Sequence, residues 1–250
     1  MKVAICAANY VGKELSSFIV EQEHNIEFAI TCSDDEYEEE IFKTFSDHQI
    51  KCYRNISVND DKFFNLLKDN SIDLVLLLWW PKIVKEHIIK AAKIGFLNLH
   101  PSLLPYNRGK HPYYWSIIED TPAGVSIHFI NPGIDDGKVL FQKPIDTDIT
   151  TTGEILYTKS IEAIIELFKD NYENIISGHL NPIEQDSDIS TFHWGKDIWE
   201  HSKIDLSKKY TALELLNIIR ARTFSGDNSA FFVYKNEKYN VKIEISKRDD

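Results

Sequence analysis

The sequence predicts an α/β protein: an open, twisted, mostly parallel sheet with helices on both faces, followed by a small C-terminal helix and β-hairpin region. Three observations carry this. Short, continuously apolar runs alternate with helix-period segments over the first hundred residues, the signature of strands buried on both faces. Turn-rich punctuation separates them. From about residue 186 the pattern breaks into polar, irregular chain.

The elements follow in order. Residues 2–8 read as a buried strand, 13–22 as a helix and 26–31 as a second strand. The acidic run Asp34-Asp35-Glu36-Tyr37-Glu38-Glu39-Glu40 reads as a solvated loop or helix start. Residues 50–54 give a short strand, 60–69 a helix and 73–78 a strongly apolar strand. Ile83, Val84, Ile88, Ile89 and Ala92 have helical spacing and predict a helix over 82–93, with Gly95 where a left-handed cap falls. Residues 96–99 are extended. Strands at 123–130 and 138–145 flank the turn-rich Asn131-Pro132-Gly133-Ile134-Asp135-Asp136-Gly137. Thr151 and Glu154 suggest a capping box opening a long helix to about Ile176. A helix over 212–222 and strands at 230–234 and 239–245, turning at 235–238, complete the chain. This succession is Rossmann-like. A boundary near 185 divides a main domain, 1–185, from a C-terminal region, 186–250.

Length and composition bound the function. The 250 residues, 43% hydrophobic and 27% charged, suffice for one large domain with a small appendage. No apolar run approaches the ~18 residues that span a bilayer, so no membrane role is expected. Residues 1–6 enter a strand directly, without a signal-peptide pattern. Three cysteines lack CxxC spacing and suit a reducing compartment, so a cytoplasmic protein without a metal is expected. Of the net charge of -11, residues 1–185 contribute 28 acids and 17 bases, and 186–250 contribute 11 of each. Neither half has the basic footprint that nucleic acid demands.

Nucleotide motifs are absent. Ala7-Ala8-Asn9-Tyr10-Val11-Gly12 has one glycine where a dinucleotide fingerprint has three. The informative segment is Asn98-Leu99-His100-Pro101-Ser102-Leu103-Leu104-Pro105. Pro101 keeps His100 out of the helical region, so Asn98 and His100 lie two apart on extended chain and face one side. An amide donor beside an imidazole can stabilise an oxyanion and move a proton.

With Arg108-Gly109, Pro112, Gly124-Val125-Ser126-Ile127-His128 and Gly133-Ile134-Asp135-Asp136-Gly137, this segment resembles the formyltetrahydrofolate-dependent formyltransferases, sharply over 96–142 and diffusely from about 20. The resemblance implies that Asn98, His100 and Asp135 are the catalytic set, with Asp136 as rival to Asp135 and His128 structural. A primary amine attacks the formyl carbon of 10-formyltetrahydrofolate; Asn98 and protonated His100 donate to the oxyanion, and Asp135 holds the histidine's charge and accepts the amine's proton. Trp80, Lys82, Ile83, Gly133, Ile134 and Asp136 are expected to line the folate cleft, and Asn9, Tyr10, Ser102, Arg108 and Gly109 to border the acceptor.

Within the family, the tail over 191–197, 204–206 and 220–224 is similar to that of the sugar N-formyltransferases. These act on nucleotide-linked aminodideoxy sugars for bacterial O-antigen or other surface polysaccharides. A dTDP- or GDP-linked 4-amino-4,6-dideoxy sugar is the expected acceptor; nucleotide, stereochemistry and amine position stay open. Trp194, Lys196, Arg220 and Arg222 are substrate-binding candidates by type. Methionyl-tRNA formyltransferases carry a larger, basic C-terminal domain, unlike the balanced tail here. Formylation of another small amine, such as a ribonucleotide intermediate, and a silent folate-binding protein are the alternatives. The alternating Phe231, Val233, Val241, Ile243 and Ile245 predict a half-buried hairpin contributing to a homodimer.

Overall fold

A computed structural model describes residues 1–22, 24–226 and 229–248. The elements are β1 (Val3–Ala7), α1 (Asn9–Val20), β2 (Ile26–Thr31), α2 (Glu38–Asp47), β3 (Cys52–Tyr53), α3 (Asp61–Asp69), β4 (Leu74–Leu78), α4 (Glu86–Ile89) and β5 (Gly95–His100). Then come β6 (Arg108–Gly109), α5 (Pro112–Ile118), β7 (Gly124–Phe129), β8 (Val139–Pro144) and α6 (Gly153–Ser177). The chain ends with β9 (Phe192–His193), α7 (Asp197–His201), α8 (Ala212–Ala221), β10 (Ala230–Tyr234) and β11 (Glu237–Val241).

Seven strands form one sheet in the order β3-β2-β1-β4-β5-β7-β8. The strands from β3 to β5 are parallel, and β7 pairs antiparallel with β5. The mostly parallel, Rossmann-like sheet of the sequence reading is therefore the observed fold. Every residue of β1 and β4 is buried. Such complete burial of Leu or Ile side chains stabilises by roughly 1.5–3 kcal/mol each. Gly12 serves helix–strand packing: a Cβ there would lie 3.1 Å from the Leu78 carbonyl oxygen.

The chain divides into two compact, interleaved units. The first comprises 1–100, 126–142 and 164–185; the second comprises 101–125, 143–163 and 186–250. One junction falls after 185, and the segments 101–125 and 143–163 of the expected main domain lie in the second unit, junctions for which the sequence carries no signal. In the first unit, Phe28, Phe63, Val75, Leu77, Ile88 and Phe96 are among the residues of one core. In the second, Tyr114, Trp115, Leu156, Ile198 and Ala221 form another.

Three local expectations are corrected. The helix expected over 82–93 is only Glu86–Ile89. Asn59 explains this: its amide donates to the Ile83 carbonyl at 2.8 Å and its Oδ1 accepts from the Lys85 amide at 2.8 Å, consuming groups a longer helix would use. Thr151 and Glu154 form no capping box. Thr152 Oγ1 accepts from the Ile155 amide at 3.3 Å, and the Glu154 carboxylate accepts from Ser225 instead. The capping box present joins Thr211 and Glu214 on α8. The hairpin turn is two residues long, because Lys235 and Asn236 both adopt left-handed φ (49° and 66°), so the return strand starts at Glu237.

Candidate active site

Asn98 and His100 lie two apart on β5, and β7 places His128 directly opposite Asn98. All three side chains thus share one face of the sheet. His100 is 5% exposed and His128 fully buried. Asp135, in the loop between β7 and β8, stands between the two imidazoles: Oδ2 is 3.6 Å from His100 Nδ1, and Oδ1 is 3.6 Å from His128 Nε2. The expected catalytic three therefore converge within the first unit.

His128, expected to be structural, belongs to this constellation. Burial pushes its imidazole down to about 4, against the opposing pull of Asp135, so it is neutral at pH 7. A neutral ring whose Nδ1 faces the Phe129 carbonyl at 2.8 Å carries its proton there. Nε2 is then the acceptor for the Asn98 amide at 3.3 Å, which fixes which end of the Asn98 side chain donates. The signal for this lay only in strand register, which the sequence does not display.

The 131–137 loop is held from beneath. Gln185 Nε2 donates to the carbonyls of Asp135 (2.8 Å) and Gly137 (2.7 Å), a contact that sequence reasoning missed. Asp135 itself adopts φ 51°. Gly137 permits a close approach, since a Cβ would meet the Phe129 carbonyl oxygen at 1.9 Å. Asp136 folds back toward Gly133, with its Oδ1 buried and without a hydrogen-bond partner. It is Asp135, not Asp136, that stands within 4 Å of both imidazoles. Ile134 is half-buried in the same loop.

Beside this seam, the β1 and β4 loops meet. Asn9 (φ 59°) and Trp79 (φ 58°) are both left-handed, and the Asn9 amide points to the Trp79 carbonyl at 3.5 Å. Tyr10 is 41% exposed and stands edge-on to Tyr37, their centroids 6.0 Å apart. Trp80 and Lys82 line a cavity of about 260 Å³ with Thr31, Cys32, Ser33, Asn55 and Asp60 among its other walls. The buried Trp80 indole N–H has no partner and is a donor a bound ligand can use. Ile83 is 75% exposed.

The remaining expected residues lie in the second unit. Ser102 is buried. Arg108 and Gly109 form β6, which pairs with Phe192 and His193; at Gly109 (φ 91°) a Cβ would lie 2.3 Å from the His193 carbonyl oxygen, so only glycine fits. Trp194 is 56% exposed and edge-on to Phe192 at 4.7 Å, and Lys196 is exposed nearby in sequence. Arg220 and Arg222 are buried. Arg220 is committed internally: Nη1 donates to the carbonyls of Asp148 (3.0 Å) and Thr151 (2.8 Å), and Nε to Asn217. Arg222 lies 5.6 Å from the Trp199 ring, and burial lowers its pKa. These arginines show no exposed phosphate-binding face. Among the described residues, no group of three or more His, Cys, Asp or Glu side chains is placed to hold a metal, and no helix is long and apolar enough to cross a membrane.

Comparison with known proteins bears on this arrangement. The formyl transferase family model matches residues 20–170, and that of the N-formyltransferase dimerization C-terminal domain matches 197–247. The bifunctional polymyxin resistance protein ArnA of Wigglesworthia glossinidia brevipalpis is 29% identical over 89% of this chain and 35% of its own length. The methionyl-tRNA formyltransferase of Rickettsia felis is 35% identical over 58% of this chain and 48% of its own. The chain thus spans about a third to a half of these relatives. Among solved structures, a 4-N formyltransferase from Francisella tularensis superposes with a TM-score of 0.81 at 22% identity, covering 99% of this chain and 98% of that one. A sugar N-formyltransferase from a Shewanella species gives 0.81 at 19% identity, covering 100% and 99%. With a family model spanning well over half of its residues, the chain belongs to the formyl transferase family.

Proposed function

We propose that this chain is a 10-formyltetrahydrofolate-dependent sugar N-formyltransferase acting on the amine of a nucleotide-linked 4-amino-4,6-dideoxy sugar, dTDP- or GDP-linked, in surface-polysaccharide synthesis. The observation that carries this reading is the seating of Asn98, His100 and Asp135 in one buried constellation. The formyl donor supplies an electrophilic carbonyl carbon. Asn98, its donor end set by His128, presents an amide hydrogen to the oxygen as charge develops there. His100 supplies a second donor when protonated. Asp135 accepts the proton that leaves the attacking amine, directly or through water; the bond from the formyl carbon to the folate nitrogen then breaks, and that nitrogen takes up a proton as tetrahydrofolate leaves. The folate place includes Trp80, whose unpaired indole N–H faces no internal acceptor, and Lys82, which lines the same cavity.

Three observations support a sugar nucleotide as acceptor. The tail has balanced charge, unlike a tRNA-binding domain. Trp194 and Phe192 offer exposed rings on which a base can stack. Solved relatives include an N-formyltransferase from Helicobacter canadensis in complex with folinic acid and dTDP-3-aminofucose, and PseJ from Anoxybacillus kamchatkensis with a UDP-linked formamido sugar and tetrahydrofolate. In this reading residues 1–185 supply catalysis, and 186–250 supply substrate contact and the dimer. The homodimer is supported by the dimerization-domain match and by exposed Leu213, Val233, Tyr234 and Tyr239. Three free cysteines suit the cytoplasm.

The test is a panel of NDP-3-amino and NDP-4-amino sugars incubated with 10-formyltetrahydrofolate, each product checked for a formamide by mass spectrometry. Formylation of at least one sugar nucleotide is expected. Inertness toward all of them, with turnover of a ribonucleotide amine or methionyl-tRNA, refutes the sugar assignment.

A further inference from the structure

In an open α/β sheet, ligands enter where strand order reverses, here between β1 and β4, and a ligand phosphate commonly sits on the first amides of the helix that follows β1. In this chain that place is filled from within. Helix α1 has no side-chain N-cap and no acid in its first turn, but the Asn9 amide donates to Asp35 Oδ2, from the loop after β2. The other oxygen of Asp35 accepts from the Tyr37 amide at 2.8 Å, so the carboxylate is held at both ends. The nearby cations are already engaged: Lys13 lies 3.5 Å from Glu14 and from Glu40, and Lys82 lies 3.9 Å from Asp34. The lip of the crevice is therefore anionic and compensated.

This lip is close to the chemistry. Leu77 of β4 is in register with Asn98, and Trp79, whose carbonyl faces the side-chain amide of Asn9, follows two residues later. One strand spacing, ~4.8 Å, separates β4 from the catalytic strand. A phosphate adjoining the reacting amine would fall near Asp35 and be repelled. A phosphate several bonds away, as in a nucleotide-linked sugar, can lie elsewhere.

We propose that Asp35 is a specificity-determining residue: by occupying the first amide of α1, its carboxylate excludes acceptors that carry a phosphate beside the reacting end and admits those whose phosphates are remote. This deepens the acceptor assignment made above and rests on it for the identity of the amine.

The test uses inorganic phosphate as probe, with the full-length protein and its Asp35→Ala and Asp35→Asn variants. Amide chemical shifts of residues 9–12 are followed by NMR during titration. The wild type is expected to show no saturable shift at these amides, and Asp35→Ala to bind phosphate at least ~10-fold more tightly, the order of a helix-terminus charge effect in a partly buried setting. Asp35→Asn, which keeps the shape and one acceptor, should gain less, and it decides the matter if the alanine variant does not fold. In the transfer assay, ribose 5-phosphate should inhibit the variants more strongly than the wild type. Saturable phosphate binding at 9–12 in the wild type overturns the proposal, as does absence of any gain in the folded variants. Because the titration contains no acceptor, a wrong acceptor class shows only in the sugar panel and leaves this result readable.

Discussion

The seam between β5 and β7 and the tail beyond residue 186 treat polar side chains in opposite ways. At the seam, four groups able to carry or stabilise charge are brought together under cover, each within 4 Å of another. In the tail, the residues expected to meet substrate separate: Trp194 and Lys196 are exposed, while the guanidinium of Arg220 is spent on backbone carbonyls. Burying and crowding polar groups costs stability, so a fold keeps such an arrangement where chemistry requires it. An exposed aromatic ring costs little, and its use is defined only when a ligand arrives.

That contrast can be broken or sharpened. His100→Asn is expected to lower kcat at least ~100-fold, the scale of a lost proton carrier or oxyanion donor, with little change in thermal midpoint. Retention of more than half the turnover would remove His100 from the mechanism. His128→Asn should cost less, ~10-fold or more in kcat with folate affinity kept, because it acts by orienting Asn98.

The same variant isolates a pH effect. His128 has its folded pKa lowered to about 4, against ~6.5 unfolded. The unfolded chain therefore binds more protons between these values, and stability present above ~6.5 is lost as pH falls toward 4. Urea midpoints at pH 7 and pH 5 should diverge less in His128→Asn than in the wild type; equal divergence would show that another group is responsible.

In the tail the expected effects are smaller and of a different kind. Trp194→Ala should raise the KM for a nucleotide-linked acceptor several-fold and spare kcat, as loss of one base-stacking ring does. Arg220→Ala should lower stability by about 2–3 kcal/mol, since buried carbonyls lose a charged donor, while the KM of the folded fraction stays near that of the wild type. An unchanged midpoint with a raised KM would return Arg220 to the substrate site.

The sequence revealed most where a local rule suffices. Pro101 and the two-residue spacing of Asn98 and His100 place both on one face of a strand, and that is where they lie. Continuous apolar runs gave β1, β2 and β4 to within a residue or two at their ends. Features set by distant partners stayed hidden. The role of His128 depends on antiparallel register with β5, the shortening of α4 on Asn59, and the loss of the Thr151 capping box on Ser225. Residue type alone marks Arg220 and Arg222 as ligand candidates, and type does not say whether a guanidinium faces a ligand or its own backbone.

Asp135, beside His100, is the carboxylate on which the proposed chemistry depends most. The direct test is a paired measurement of formyl transfer by Asp135→Asn and Asp136→Asn, with folate binding measured in parallel. The geometry requires Asp135→Asn to bind folate normally and to lose at least ~100-fold in turnover, and Asp136→Asn to stay within a few-fold of the wild type. An inactive Asp136→Asn beside an active Asp135→Asn would contradict the account and move the catalytic acid one residue along the loop.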